Sequence, residues 1–321
     1  MDNLLHKINE NGFFFSLARY GLLSFIKQLE YNKKIKVLLP KFICRDILAP
    51  FNQLECEVYY YSLSENFQPE INSKQLVDID IVLVVNYFGF PVNDDIINYC
   101  KKANVIVIED NAHGFLSKYD GNWLGFRGDI GLFSFRKTLP LQDGAAYVVN
   151  NKKYKKYKNK SVKYNSLGFN PNMKIKRIIN KIPFFGIYLN YLIKNMIRYF
   201  KNDEIYEDLE NTIPHEPNPS KDIIKLDFLA IDNEIKRRRK LYRQCDLIAK
   251  KYNITPLFDD LINQICPMGF PFINNQNSIT PLKSFALKHG LEIIRWPDFP
   301  KSIKNQIPNH YKEIMLVNFL F

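Results

Sequence analysis

The feature that most constrains this 321-residue chain is a set of short apolar runs without polar alternation, clearest in Val105-Ile106-Val107-Ile108. A strand with one wet face alternates apolar and polar residues. A β-branched run that does not alternate is expected to be buried on both faces, as in a parallel sheet covered by helices. Comparable runs lie at Ile35 to Pro40, Cys56 to Tyr61, Ile81 to Val85, Ile130 to Phe135 and Ala145 to Val149, separated by helical or looped connections. The pattern predicts an α/β fold with a mostly parallel sheet. In such sheets ligands bind in the crevice outside the carboxyl ends of the strands.

Two of those ends carry reactive side chains. The run Val105 to Ile108 is followed by Glu109-Asp110-Asn111-Ala112-His113-Gly114, and Ile130 to Phe135 by Arg136-Lys137. A lysine at a strand end is either a solvated charge or, beside a cation such as Arg136, a candidate Schiff-base former. Asp110 is either a helix cap or a partner for a bound cationic group. His113 fits a ligand contact and hydrogen-bonded packing equally, Ser134 fits a phosphate contact or a backbone-bonded hydroxyl, and Arg19 fits an anion contact or an exposed helix position.

Between the two halves stand Lys118 to Gly125 and then Gly128-Asp129, leading into Ile130-Gly131-Leu132-Phe133-Ser134-Phe135. The block from Glu109 to Ala146 resembles the DegT-type family of pyridoxal-phosphate (PLP) enzymes, the sugar-nucleotide aminotransferases. The resemblance implies the aspartate-aminotransferase-like fold, with a large domain and a small α+β C-terminal domain. It places Asp110 on the pyridine nitrogen, keeping the ring charged and an electron sink, and Lys137 in the covalent link to pyridoxal 5′-phosphate. His113 would lie near the phenolic oxygen, Ser134 at the phosphate, and Asp143-Gly144-Ala145 where the family has an acidic residue and two glycines. Near the start, Phe15 to Leu22 resembles the family's phosphate loop and helix start, so Ala18, Arg19 and Tyr20 join the expected cofactor site, with Leu17 and Ala18 replacing the usual small residue and glycine. Asn86-Tyr87-Phe88-Gly89 is similar to the family's His-x-x-Gly turn, with Asn for His. Arg237 to Tyr242 and Arg295-Trp296-Pro297 are similar to parts of its C-terminal domain. The implied reaction moves an amino group from an amino acid to a keto sugar, nucleotide-linked, in surface polysaccharide biosynthesis, in a homodimer. The alternative is a non-catalytic or membrane-associated relative of the same fold in polysaccharide assembly.

The net charge of +12 is one segment's property. Residues 151–201 hold 14 of the 45 Lys and Arg and no Asp or Glu, which leaves 31 basic against 33 acidic residues elsewhere. Within residues 152–201, lysines interleave with tyrosines and then with a strongly apolar stretch from Ile182 to Phe200. Such a segment packs its apolar face on the domain or a partner subunit, lies on a membrane surface, or meets a nucleotide pyrophosphate. Nucleic acid is not an expected partner, because no recognised binding motif appears. The five cysteines are odd in number and without paired spacing, which argues against a disulfide framework and a metal site. No signal-peptide pattern opens the chain, so a cytoplasmic location is expected, peripheral to the inner membrane face if the basic segment binds it. Three parts are expected: a PLP-binding large domain over 1–150, a basic connecting region over 151–215 ending near Pro214 to Pro219, and a small domain over 216–321.

Overall fold

The computed structural model describes residues 2–29, 31–139, 144–155, 228–274 and 278–320. Asp143, the basic segment beyond residue 155 and the proline-containing stretch at 214–219 lie outside the described residues.

The six expected strands are all present, two of them with the expected limits. They are β2 (Lys36–Pro40), β3 (Glu57–Leu63), β5 (Ile81–Val85), β6 (Ile106–Asp110), β9 (Ile130–Ser134) and β10 (Ala145–Val149). Two more, β1 (Gly12–Phe15) and β4 (Pro69–Glu70), complete an eight-stranded sheet in the order β1-β10-β9-β6-β5-β2-β3-β4 among the described residues, and β7 (Lys118–Tyr119) and β8 (Asn122–Trp123) form a separate hairpin. The four central pairings, β9 with β6, β6 with β5, β5 with β2 and β2 with β3, are parallel. The outer pairings, β1 with β10, β10 with β9 and β3 with β4, are antiparallel. Every residue of β5, β6, β9 and β10 is buried, as the absence of alternation required.

One boundary differs from the sequence reading in an instructive way. Glu109 and Asp110 are not beyond the strand but its last two residues, and Glu109 is fully buried. Glu109 tolerates burial because Arg127 donates to it from Nε at 3.0 Å and Nη2 at 2.7 Å. The backbone N–H groups of Arg127 and Gly128 and the Asn86 amide donate to the same carboxylate. These contacts overcome the opposing effect of burial and hold the Glu109 carboxyl below its ordinary range. Arg127 reaches on to Asp94, the Val92 carbonyl and the Asn86 side-chain oxygen, so one cation ties the turns after β5 and β6 together.

The glycines of this block are set by contact. A Cβ at Gly131 would lie 1.8 Å from the Gly125 carbonyl oxygen, and Gly125 itself has φ +88° and faces the Phe133 ring.

The C-terminal part begins with a long helix, Phe228–Lys251, and continues into an antiparallel four-stranded sheet. Its strands are β11 (Thr255–Pro256), β12 (Gly269–Ile273), β13 (Glu292–Arg295) and β14 (Ile314–Asn318), in the order β11-β12-β14-β13. One hydrophobic core runs through both parts, from Val84 and Phe88 to Phe270 and Leu316. The Tyr311 hydroxyl accepts from the Leu63 N–H and donates to the Leu63 carbonyl. Among the described residues no helix is long and apolar enough to cross a membrane, and no cluster of His, Cys, Asp and Glu could hold a metal ion.

Removing Arg127 would strand a fully buried carboxylate, which typically costs about 3–5 kcal/mol. Arg127→Met is therefore expected to lower unfolding stability by about that amount in urea titrations. Because the Glu109 carboxyl is held low in the fold, its contribution is present at neutral pH and is lost as pH falls through the folded value. The gap between wild type and variant should therefore narrow in acid.

Candidate functional site

Strand register collects the candidate residues at one end of the sheet. Phe15 pairs with Ala145, which in turn pairs with Ser134, so the segments following β1 and β9 lie side by side. Backbone bonds fasten them: the Gly144 N–H donates to the Ser16 carbonyl and the Phe135 N–H to the Gly144 carbonyl. On the strand next to β9, Asp110 closes β6 opposite Leu132.

A half-open cleft lies at these ends. Leu17, Ala18 and Arg19 line it from the start of a helix, Ala18–Lys27. Ile43, Cys44, Asp46 and Tyr87 line it from the segments after β2 and β5, Val85, Asp110 and Ser134 from the ends of β5, β6 and β9, and Ala112, His113, Arg136 and Lys137 from the segments after β6 and β9. Trp296, from the C-terminal part, closes one side. Of the expected site residues, Tyr20 alone is outside this lining; its ring carries the Arg19 guanidinium at 5.6 Å.

Strand alternation sends the Glu109 and Asp110 side chains to opposite faces, one into the Arg127 network and the other towards the cleft. Asp110 accepts from the Ala112 N–H at 2.9 Å. Burial raises its carboxyl above the ordinary value, opposed by the charge of Lys137 and by that N–H. Such a carboxylate is short of compensating charge and suits a cationic ligand group.

His113 sits between two groups. The Phe88 N–H donates to its Nδ1 at 3.3 Å, and its Nε2 is 3.4 Å from Lys137 Nζ. A neutral imidazole has one donor and one acceptor nitrogen, so its tautomer decides which of these two contacts it accepts. Burial, and after it the charge of Lys137, pushes the His113 pKa well below its ordinary value, so the ring is neutral at physiological pH. Phe88 stacks on the imidazole at 5.8 Å and Trp296 meets it edge-on at 4.8 Å.

The start of the Ala18–Lys27 helix opens into the cleft with Leu17 at its N-cap, which has no side-chain acceptor to offer. Arg19 contacts Asp46 at 3.5 Å through Nη1, while its Nε is buried without a hydrogen-bond partner among the described residues. Ser134 is buried at the end of β9, and the 3₁₀ turn Phe135–Lys137 then carries the lysine into the cleft.

Sequence reasoning missed Trp296 as a cleft residue and Arg127 as the support for Glu109. Trp296 had been placed only as part of the C-terminal domain. The Asn86 side chain, noted in a turn, belongs to the Glu109 network.

This sheet order, with the site at its carboxyl edge and a small antiparallel C-terminal unit, is the fold of the PLP-dependent transferases of fold type I. Helicobacter pylori PseC, an aminotransferase involved in the biosynthesis of pseudoaminic acid, matches with a TM-score of 0.63 and 16% identity over 96% of this chain and 81% of that structure. An E. coli GDP-4-keto-6-deoxy-D-mannose-3-dehydratase with bound hydrated PLP matches with a TM-score of 0.58 and 14% identity over 96% and 82%. At these identities the likeness is one of fold.

Residues 65–192 match the model of the DegT/DnrJ/EryC1/StrS aminotransferase family, the family that the block from Glu109 to Ala146 resembles. A UDP-4-amino-4,6-dideoxy-N-acetyl-β-L-altrosamine transaminase of Campylobacter jejuni subsp. jejuni serotype O:23/36 (strain 81-176) is 38% identical over 82 residues. That match covers 25% of this chain and 22% of the relative.

Asp110→Asn separates ligand binding from stability. Because the folded carboxyl is raised above its ordinary value of 3.8, the fold holds the proton more tightly than the unfolded chain does, and stability falls as pH rises through that window. The variant is expected to match or exceed the wild-type melting temperature at pH 7, with a smaller advantage near pH 4, while losing affinity for a pyridinium ligand.

Proposed function

We propose that this protein is a PLP-dependent aminotransferase that moves an amino group from an amino acid to a keto sugar, nucleotide-linked, in surface polysaccharide biosynthesis. The observation that carries the reading is the placement of Asp110 and Lys137 on one cleft, with an uncapped helix start and a partnerless Arg19 Nε beside them.

These residues fit pyridoxal 5′-phosphate. Asp110 would take the pyridine nitrogen, relieving a carboxylate that burial otherwise disfavours. Ser134, Arg19 and the N–H groups at Ala18 would take the phosphate. His113, neutral, would serve the phenolic oxygen side. When bound, the cofactor supplies an electron sink for charge developing on the substrate carbon. Lys137 would hold the cofactor through Nζ, and as a free amine that Nζ would take a proton from the substrate carbon and return it. Trp296 and Tyr87 give this end of the cleft an aromatic side, with Phe88 packed against both rings.

The sugar-nucleotide substrate is supported by the matched transaminase from Campylobacter jejuni. A homodimer, a cytoplasmic location and a contact of residues 152–201 with a membrane surface belong to the same reading. So does the division into a cofactor domain over 1–150, a connecting region over 151–215 and a small domain over 216–321.

Purified protein titrated with PLP should develop a near-visible absorbance band. Borohydride should then fix the cofactor on the peptide containing Lys137, and Lys137→Ala should show neither. A folded wild-type protein without the band would defeat this reading and favour the non-catalytic alternative.

A further inference from the structure

Arg238 is completely buried, yet it belongs to the helix Phe228–Lys251 of the C-terminal part and touches none of the cleft. Burying a guanidinium is costly unless it is paired and its donors are used. Its Nε donates to Glu234 Oε1 at 2.6 Å, and its Nη2 to the Thr138 carbonyl at 2.7 Å. Thr138 is the residue directly after Lys137. Its N–H closes the 3₁₀ turn onto Phe135, so the carbonyl held by Arg238 follows immediately on the turn that carries the lysine.

The guanidinium is itself oriented. Glu234, nearly buried, accepts from Arg238 through Oε1 and from Arg237 through both oxygens, while Arg237 also donates to the Phe319 carbonyl. One carboxylate thus links the Lys137 turn, the long helix and the end of β14. A lysine in place of Arg238 is a point donor and cannot serve Glu234 and Thr138 in the same fork geometry.

We infer that Arg238 is a positioning residue for Lys137: by holding the Thr138 carbonyl it sets where the ε-amine stands in the cleft, so that the C-terminal part determines the geometry of the reactive lysine. The inference rests on the proposed role of Lys137 only for its functional consequence. The placement itself is tested without the cofactor.

In the cofactor-free full chain, Lys137 acylation by limiting acetic anhydride, measured by peptide mass spectrometry against the other lysines, reports the setting of the amine. Arg238→Lys is expected to change the relative labelling of Lys137 several-fold, leaving the surface lysines unaltered. Glu234→Gln, which keeps shape and loses the charge that orients Arg238, is expected to shift it the same way by less. With PLP present, borohydride trapping on Lys137 should slow by on the order of tenfold to a hundredfold in Arg238→Lys, the scale set by small displacements of a reacting group. Wild-type labelling and trapping in folded Arg238→Lys and Glu234→Gln, with folding checked by thermal melts, would overturn the inference. If the wild type fails to bind PLP while Lys137 labelling still responds to both variants, the positioning role stands and the proposed function falls.

Discussion

The buried carboxylate of Glu109 is the constraint on which the rest of the site depends. An ionised group without solvent is held only by a full set of donors, and here they come from Arg127, the Arg127 and Gly128 backbone and Asn86. Meeting that demand fixes the turns after β5 and β6 and the approach to β9. Because neighbouring strand residues point to opposite faces, anchoring Glu109 on one side aims Asp110 at the other. The pair reads as two acids of one kind, but the first is compensated and the second is left in need of a cation.

Much of the large sheet was legible because its strands are buried on both faces and so consist of unbroken apolar runs. Ile81 to Val85 and Ala145 to Val149 were delimited to the residue. The end of β6 was not, since Glu109 and Asp110 contradict the apolar rule locally, and the compensating Arg127 lies 18 positions on. Gly12–Phe15 was missed as a strand: four residues beside a helix carry too little periodicity, and its pairing with β10 is a long-range fact.

The cleft was legible through motif spacing where its parts are close in sequence, from Asp110 to Lys137, and much less so elsewhere. Arg238 stands in the run Arg237-Arg238-Arg239-Lys240, which reads as a solvated face. Only helix periodicity combined with the position of Thr138 distinguishes its buried member from its neighbours. Trp296 faces the same difficulty, since nothing near it in the chain marks the distant imidazole it contacts.

The long span of those two contacts has a consequence for how the protein comes into being during synthesis. A ribosome that has released residue 149 has delivered every described strand of the large sheet, and domains fold as units from the amino terminus. The Lys137 turn nevertheless waits for residue 238, 100 positions beyond Thr138, and the aromatic wall for residue 296. Until then the nascent sheet carries Asp110, His113 and Lys137 without the contacts from Arg238 and Trp296, and the lining of the cleft is completed only once residue 296 has emerged.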